Sequence, residues 1–480
     1  MRAGRAVRRL LACALLLALL VIPAGAASAY TAFLTNQGPV NTDSSTSARG
    51  DSTIDSRSYS FTDGSRLSMQ RMRTRETGAP AQEIGKMTVA GTSGMLRWYD
   101  SAEDAWHVVN LAAGTYPMGT YHISTDQGSA IVVPPQVYLD HSNGMIEHLP
   151  AYNGSLVISP TAGGFLLTLK VPALPANVHA EWLLVRSDRQ LVDWNNPESA
   201  PKWAIYSFTG DNRWCMTGYY YLAPNSYYPW GQNYYNNLPA AYIAGRMMRD
   251  SNQPASMMIG LAMIDVMRGL RTEEGTLLSL AGSNWLRDDY NIGPGYFDTR
   301  FNVDFCTAQM NAVSRYAISQ WNTELIRFGD YLRSYATLHH FAANATGKQE
   351  GWLVQDYAHK DGGKPTHCSL NHQAASAVFF YRLAAVTKET RFTEMAEQLT
   401  RGIENTAPLW IKENGDLYYA YMPNGTYDRA DYPFLTYNDL LELQQEVSAA
   451  RGGLPSAAIQ SLLDSKRAWM DANGITEYNK

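Results

Sequence analysis

The hydrophobic rhythm of the chain changes twice. Leu10 to Ile22 is an unbroken apolar run behind Arg2, Arg5, Arg8 and Arg9, and Ala27-Ser28-Ala29 forms a small-residue cleavage site before Tyr30. That layout predicts an export signal over residues 1–29. Pro23 and the small residues after it favour cleavage over a retained anchor. Residues 30–60, rich in Ser, Thr, Asp and Gly, read as a flexible leader. From 61 to 210 the runs are short and apolar or alternating: Lys86–Val89, Met95–Tyr99, Ala130–Val133, Gly154–Ile158, Gly164–Val171, Ala180–Val185 and Trp203–Phe208. Turns of Gly, Pro, Asn and Asp separate them, which predicts an N-terminal β-sandwich.

After Leu238 the period lengthens to that of helices. The pattern predicts helices over Pro239–Arg249, Ala255–Arg271, Asp304–Ile318, Asn322–Asn344, Asn371–Thr387, Arg391–Asn405, Thr436–Arg451 and Pro455–Ala472. Pro254 and Pro455 stand near starts, and Gly275, Gly402, Gly452 and Gly474 at or near ends. Long links between alternate helices point to paired hairpins with functional loops on one face. The fold class expected is therefore α+β multidomain, the β-sandwich being followed over residues 211–480 by an α/α toroid of helical hairpins.

Composition narrows the partners. A net charge of -5 argues against nucleic acid, and no second apolar run is long enough to span a bilayer. With its signal removed, the protein is expected to be secreted or held in the cell envelope, with no membrane partner; a homodimer is left open. Charged residues make up only 17% while aromatics reach 11%, with 30 Tyr and 12 Trp. Such side chains fill cores and also stack on sugar rings. Cys13 leaves with the signal, and Cys215, Cys306 and Cys368 lack metal-type spacing. No metal and no cofactor is expected.

The chemistry gathers in the last third. Trp352 to Gln373, Asn414 to Tyr421 and Asp431 to Asp439 set tyrosines beside carboxylates and glycines at predicted helix ends. An earlier loop holds Asp288-Asp289-Tyr290 and then Tyr296, Asp298 and Arg300. Loops on a rigid scaffold are where binding and catalytic groups collect. A catalytic Tyr, with an ordinary pKa of roughly 10, needs a cation or strong hydrogen bonds to its phenolate. Arg300 and Arg429 are candidate cations. Taken singly, each tyrosine reads more readily as the lining of a wet cleft that stacks on sugar, Asn371 as a helix cap and His372 as structural.

Together, the residues carry a resemblance. His367-Cys368-Ser369-Leu370-Asn371, Phe379-Phe380-Tyr381, Arg401-Gly402-Ile403-Glu404, Gly415-Asp416-Leu417-Tyr418 and Asp431-Tyr432 with Asn438 follow one another. In that order they resemble the C-terminal domain of D-glucuronyl C5-epimerases, from about Trp352 to Gln445. His372-Gln373 and Tyr419-Ala420 depart from that family's pattern. The resemblance implies removal and return of the C5 proton of a hexuronate in a uronic-acid-containing polysaccharide. It makes Tyr357, Tyr418 and Tyr432 the acid–base set; with them Arg300, Asn371, His372, Asn438, Tyr296 and Asp298 are the candidate substrate-binding residues. A polysaccharide lyase or glycoside hydrolase on the same scaffold, or a non-catalytic glycan-binding envelope protein, are the alternatives.

Overall fold

Strands of the N-terminal half bury both faces of one large sheet, and the alternation of their residues shows how. The computed structural model describes residues 39–250 and 253–476, so the expected signal at 1–29 lies outside the described residues. The large sheet has 12 strands, with Val178–Ser187 at its centre between Arg66–Arg73 and Ser129–Asp140. Leu67, Met69, Ile131, Val133, Leu183 and Val185 face a core shared with the helices. Their alternates Met72, Ala130, Val132, Ala180 and Trp182 face a second core. That core is closed by a four-stranded antiparallel sheet of Gln82–Ala90, Gly164–Val171, Ser155–Thr161 and Gly114–Tyr116. A period of two divides one strand between two cores.

Three expectations are corrected here. Residues 39–60, predicted as part of a flexible leader, lie in a hairpin of Pro39–Arg49 and Ser52–Phe61. It turns through Gly50 at φ +57° and pairs onto Arg66–Arg73 from Thr53↔Arg73 to Ser60↔Arg66. Ile54, Tyr59 and Phe61 are buried between the Ser and Thr positions, so a polar composition hides a half-buried strand. Trp203–Phe208, predicted as a strand, forms no strand: its first half ends a short helix, Ser199–Ile205, with Ser199 and Trp203 inward. Short apolar runs do not separate helix from strand. The boundary at 210 also shifts, because Asn212–Cys215, Gly218–Leu222 and Tyr234–Asn237 complete the large sheet.

The described residues contain ten α-helices: α1 (Ser199–Ile205), α2 (Tyr242–Arg249), α3 (Pro254–Arg268), α4 (Asn284–Tyr290), α5 (Thr299–Tyr316), α6 (Asn322–Leu338), α7 (Leu370–Thr387), α8 (Thr390–Trp410), α9 (Leu435–Ala450) and α10 (Ala457–Ala472). Among them, none is long and apolar enough to cross a membrane. α7 packs on α8, α9 and α5, and is apolar nearly all round, as a central helix must be. Gly402 in α8 lets the backbone of Trp352 approach so closely that a Cβ would sit 2.1 Å from its carbonyl oxygen. Small sheets tie the helix starts together. Tyr296–Asp298 pairs with Tyr357–Ala358 just before α5, and Cys368–Ser369 pairs with Tyr418–Tyr421 just before α7.

Candidate active site

Those two small sheets bring the starts of α5 and α7 against the segment at Asp356. The Thr299 N–H donates to Asp356 O at 3.0 Å, and the Asp356 N–H to His367 O at 2.9 Å. Asp356 is thereby fixed at the centre, with no exposed surface. Its carboxylate accepts from Ser369 N at 2.9 Å and from Ser369 Oγ at 2.5 Å. It also faces His367 Nε2 at 3.3 Å and His372 Nδ1 at 3.6 Å. Burial pushes this carboxyl up, but the two histidines and Ser369 outweigh it and hold Asp356 below the usual carboxylate range. Asp356 is the ionised group of the site.

Two phenols are coupled to it. Tyr290, on α4, shares a 2.7 Å hydrogen bond with His367 Nδ1, whose other nitrogen faces Asp356. Tyr419 feels Ser369, whose hydroxyl donates to Asp356 and tempers the burial-driven rise of the Tyr419 phenol. Around them the rings close in. His367 lies 5.7 Å from Tyr419 and 5.8 Å from Tyr357, and Tyr419 lies 5.7 Å from Tyr432. Burial raises the pKa of all four phenols, so each is a neutral hydroxyl at rest. For Tyr432 the Arg300 charge opposes that rise. Tyr432 is 47% exposed and gives the cluster an edge in solvent.

Of the tyrosines predicted from sequence, Tyr357 and Tyr432 therefore enter one cluster with Tyr419. Tyr418 does not share it: its ring lies against Lys412, 5.4 Å from the ammonium, and Tyr427. Successive residues of a strand point to opposite sides, so Tyr419 takes the inward place one residue on. This corrects the choice of Tyr418.

The other predicted residues are largely engaged with the protein itself. Arg300 grips Asp439 through both terminal nitrogens, at 2.6 and 3.0 Å, and Asp304 through Nε at 2.8 Å. Burial pushes Asp439 up to about 7 against the pull of Arg300. Asp298 caps α5 by accepting from Phe301 N at 2.9 Å, and its burial raises its pKa well above the ordinary value. Tyr296 meets Tyr227 hydroxyl to hydroxyl at 3.1 Å and packs on Tyr357. His372 Nδ1 bonds Thr299 Oγ1 at 2.8 Å, and burial lowers its pKa to about 4. Asn371 is buried with no hydrogen-bond partner at Oδ1, and Asn438 lies in the first turn of α9. Arg429, the second predicted cation, stands at the rim, 5.8 Å from the Trp285 ring and 3.1 Å from Asp289. Tyr290 and His367 were visible as residues but not as a pair, since 77 positions separate them.

No family model matches the chain, and no curated protein matches it by sequence. Similar solved structures include a D-mannose isomerase at 16% identity and TM-score 0.36, covering 51% of this chain and 63% of that one. A cellobiose 2-epimerase from Spirochaeta thermophila matches at 12% identity and TM-score 0.33, over 43% of this chain and 50% of its own. A family 76 glycoside hydrolase from a bovine Bacteroides thetaiotaomicron strain matches at 10% and 0.37, over 90% and 78%. The chain thus spans between half and two thirds of the length of the first two.

Proposed function

We propose that this is an exported carbohydrate-active enzyme of the uronate C5-epimerase type, built as a β-sandwich followed by an α/α toroid. The observation that carries the reading is the gathering of Tyr357, Tyr419 and Tyr432 around His367 beside one ionised buried carboxylate, Asp356, with Tyr290 supporting His367 from the far side. Epimerisation needs a base that removes the proton beside the carboxylate and an acid that returns one to the opposite face. A phenol serves as base only if its own proton moves toward Asp356 in the same step in which it takes the C5 proton, so that no free phenolate forms. A second phenol donates from the other side and is reprotonated as Asp356 releases its proton. We assign Tyr357, Tyr419 and Tyr432 to this acid–base set, with Tyr419 in the place that the resemblance gave to Tyr418. Arg429, paired with the half-exposed Asp289 and lying over the Trp285 ring, is the cation offered to the substrate carboxylate. Incubation with glucuronic-acid polymers in deuterated water tests the reading. Deuterium at C5, read by NMR, without new reducing ends or enol-uronate absorbance, is the expected result; no exchange with any uronan refutes it.

A second reading rests on a different observation. Burial drives Asp298 strongly toward its protonated form while Asp356 is held ionised, and pairs of carboxyls pushed apart in this way serve glycoside hydrolysis. New reducing ends in the same incubation would select it.

A further inference from the structure

Away from the tyrosine cluster, three side chains of the large sheet face one another. His179 and Glu181 are two residues apart on Val178–Ser187 and so project from the same side of the strand. Cys215 ends Asn212–Cys215, with four strands between the two in the sheet order. Curling of the sheet brings these strands together, and Met216 N donates to Glu181 Oε2 at 2.8 Å.

We propose that His179, Glu181 and Cys215 form a zinc site. Their ligand atoms all lie within 4.8 Å of one another, and the residues are 1%, 4% and 0% exposed. His179 Nε2 and Glu181 Oε1 are 3.6 Å apart, and neither has a hydrogen-bond partner. Two ligand atoms, each about 2.0–2.2 Å from a tetrahedral zinc, stand roughly 3.3–3.6 Å from each other. Buried polar atoms left without partners are costly, and a shared cation would satisfy both at once. Behind the imidazole, Asp140 Oδ2 lies 3.2 Å from His179 Nδ1, the carboxylate contact that orients a ligating histidine.

Arg71 is the group that opposes a cation, with Nε 3.3 Å from Glu181 Oε1. It is balanced by Asp140, 2.8 Å from its terminal nitrogen. A Glu181 carboxylate and a Cys215 thiolate, its proton released to solvent, then neutralise a divalent ion. The mixture of thiolate, imidazole and carboxylate suits zinc better than the oxygen-seeking cations. The cysteine spacing gave no sign of this, because the ligands come from strands far apart in sequence.

The full protein, dialysed against zinc and desalted, is expected to retain about one equivalent by elemental analysis. Replacement by cobalt should give a thiolate-to-metal absorption band in the near ultraviolet. Cys215→Ser should abolish that band, while Cys306→Ser and Cys368→Ser keep it. Substoichiometric zinc in the wild-type protein, or a cobalt spectrum unchanged by Cys215→Ser, overturns the proposal.

Discussion

Replacing Tyr419 with Phe removes one oxygen from the group coupled through Ser369 to Asp356 and leaves the ring. Its contacts with His367 and Tyr432, centroids 5.7 Å apart in each case, are hydrocarbon contacts that Phe keeps. The fold therefore loses at most one hydrogen bond, about 1 kcal/mol. Losing a positioned proton-transfer group costs about 10²–10⁴ in rate, or roughly 3–5 kcal/mol of barrier. The neighbouring Tyr418→Phe change is the control. Its ring stays against Lys412 and Tyr427, so exchange should hold within about a factor of two, the reach of a change of roughly 0.5 kcal/mol. The assay is the initial rate of deuterium incorporation at C5, with thermal unfolding measured alongside. Equal losses in the two variants, or a loss confined to Tyr418→Phe, would refute the register argument and the role given to Tyr419.

Three other substitutions test the surrounding scaffold. In His372→Gln the pH dependence of stability should change: the native histidine holds its pKa near 4 while the unfolded one titrates near 6.5. The unfolded state therefore takes up a proton first as pH falls through that window, and the wild type is destabilised there. Relative to wild type, the variant should gain about 2 kcal/mol between pH 7 and pH 5, read by urea unfolding. Gly402→Ala would set a Cβ 2.1 Å from the Trp352 carbonyl oxygen, and should cost at least about 3 kcal/mol or abolish soluble expression. Arg300→Met strands Asp304 and Asp439 without their cation. A loss of about 3–5 kcal/mol is expected in denaturant titration, and a loss below 1 kcal/mol would count against the pairing.

What could be read from sequence follows the strength of local periodicity. α5 to α10 overlap the stretches of helical period, because each buries a stripe or, in α7, most of its surface; the stretch expected to be helical over Asn322–Asn344 ends at Leu338, and His340–Ala343 forms a strand instead. Gly164–Val171 and the run at Ala130–Val133 stood out because their strands are buried on both faces or nearly so. The hairpin at 39–61 did not, since Ser and Thr fill 10 of its 23 positions and Ile54, Tyr59 and Phe61 are its only buried apolar residues among those described. The site was legible as a neighbourhood: Tyr357, Tyr432, His367 and Asp356 lay in stretches marked for chemistry. Its wiring was not. Choosing between Tyr418 and Tyr419 requires the strand register, and joining Tyr290 to His367 requires the tertiary fold. Arg300 read as a free cation although Asp304, one helical turn on, pairs with it; only the second partner, Asp439, 139 residues away, lay beyond sequence reasoning.

The most direct measurement is a crystal structure with a glucuronic-acid oligosaccharide bound. The hydroxyl of Tyr419 should lie about 3–3.5 Å from C5 on one face of the ring, with that of Tyr357 or Tyr432 on the other. A sugar seated elsewhere, or phenols confined to a single face, would contradict proton exchange by this cluster.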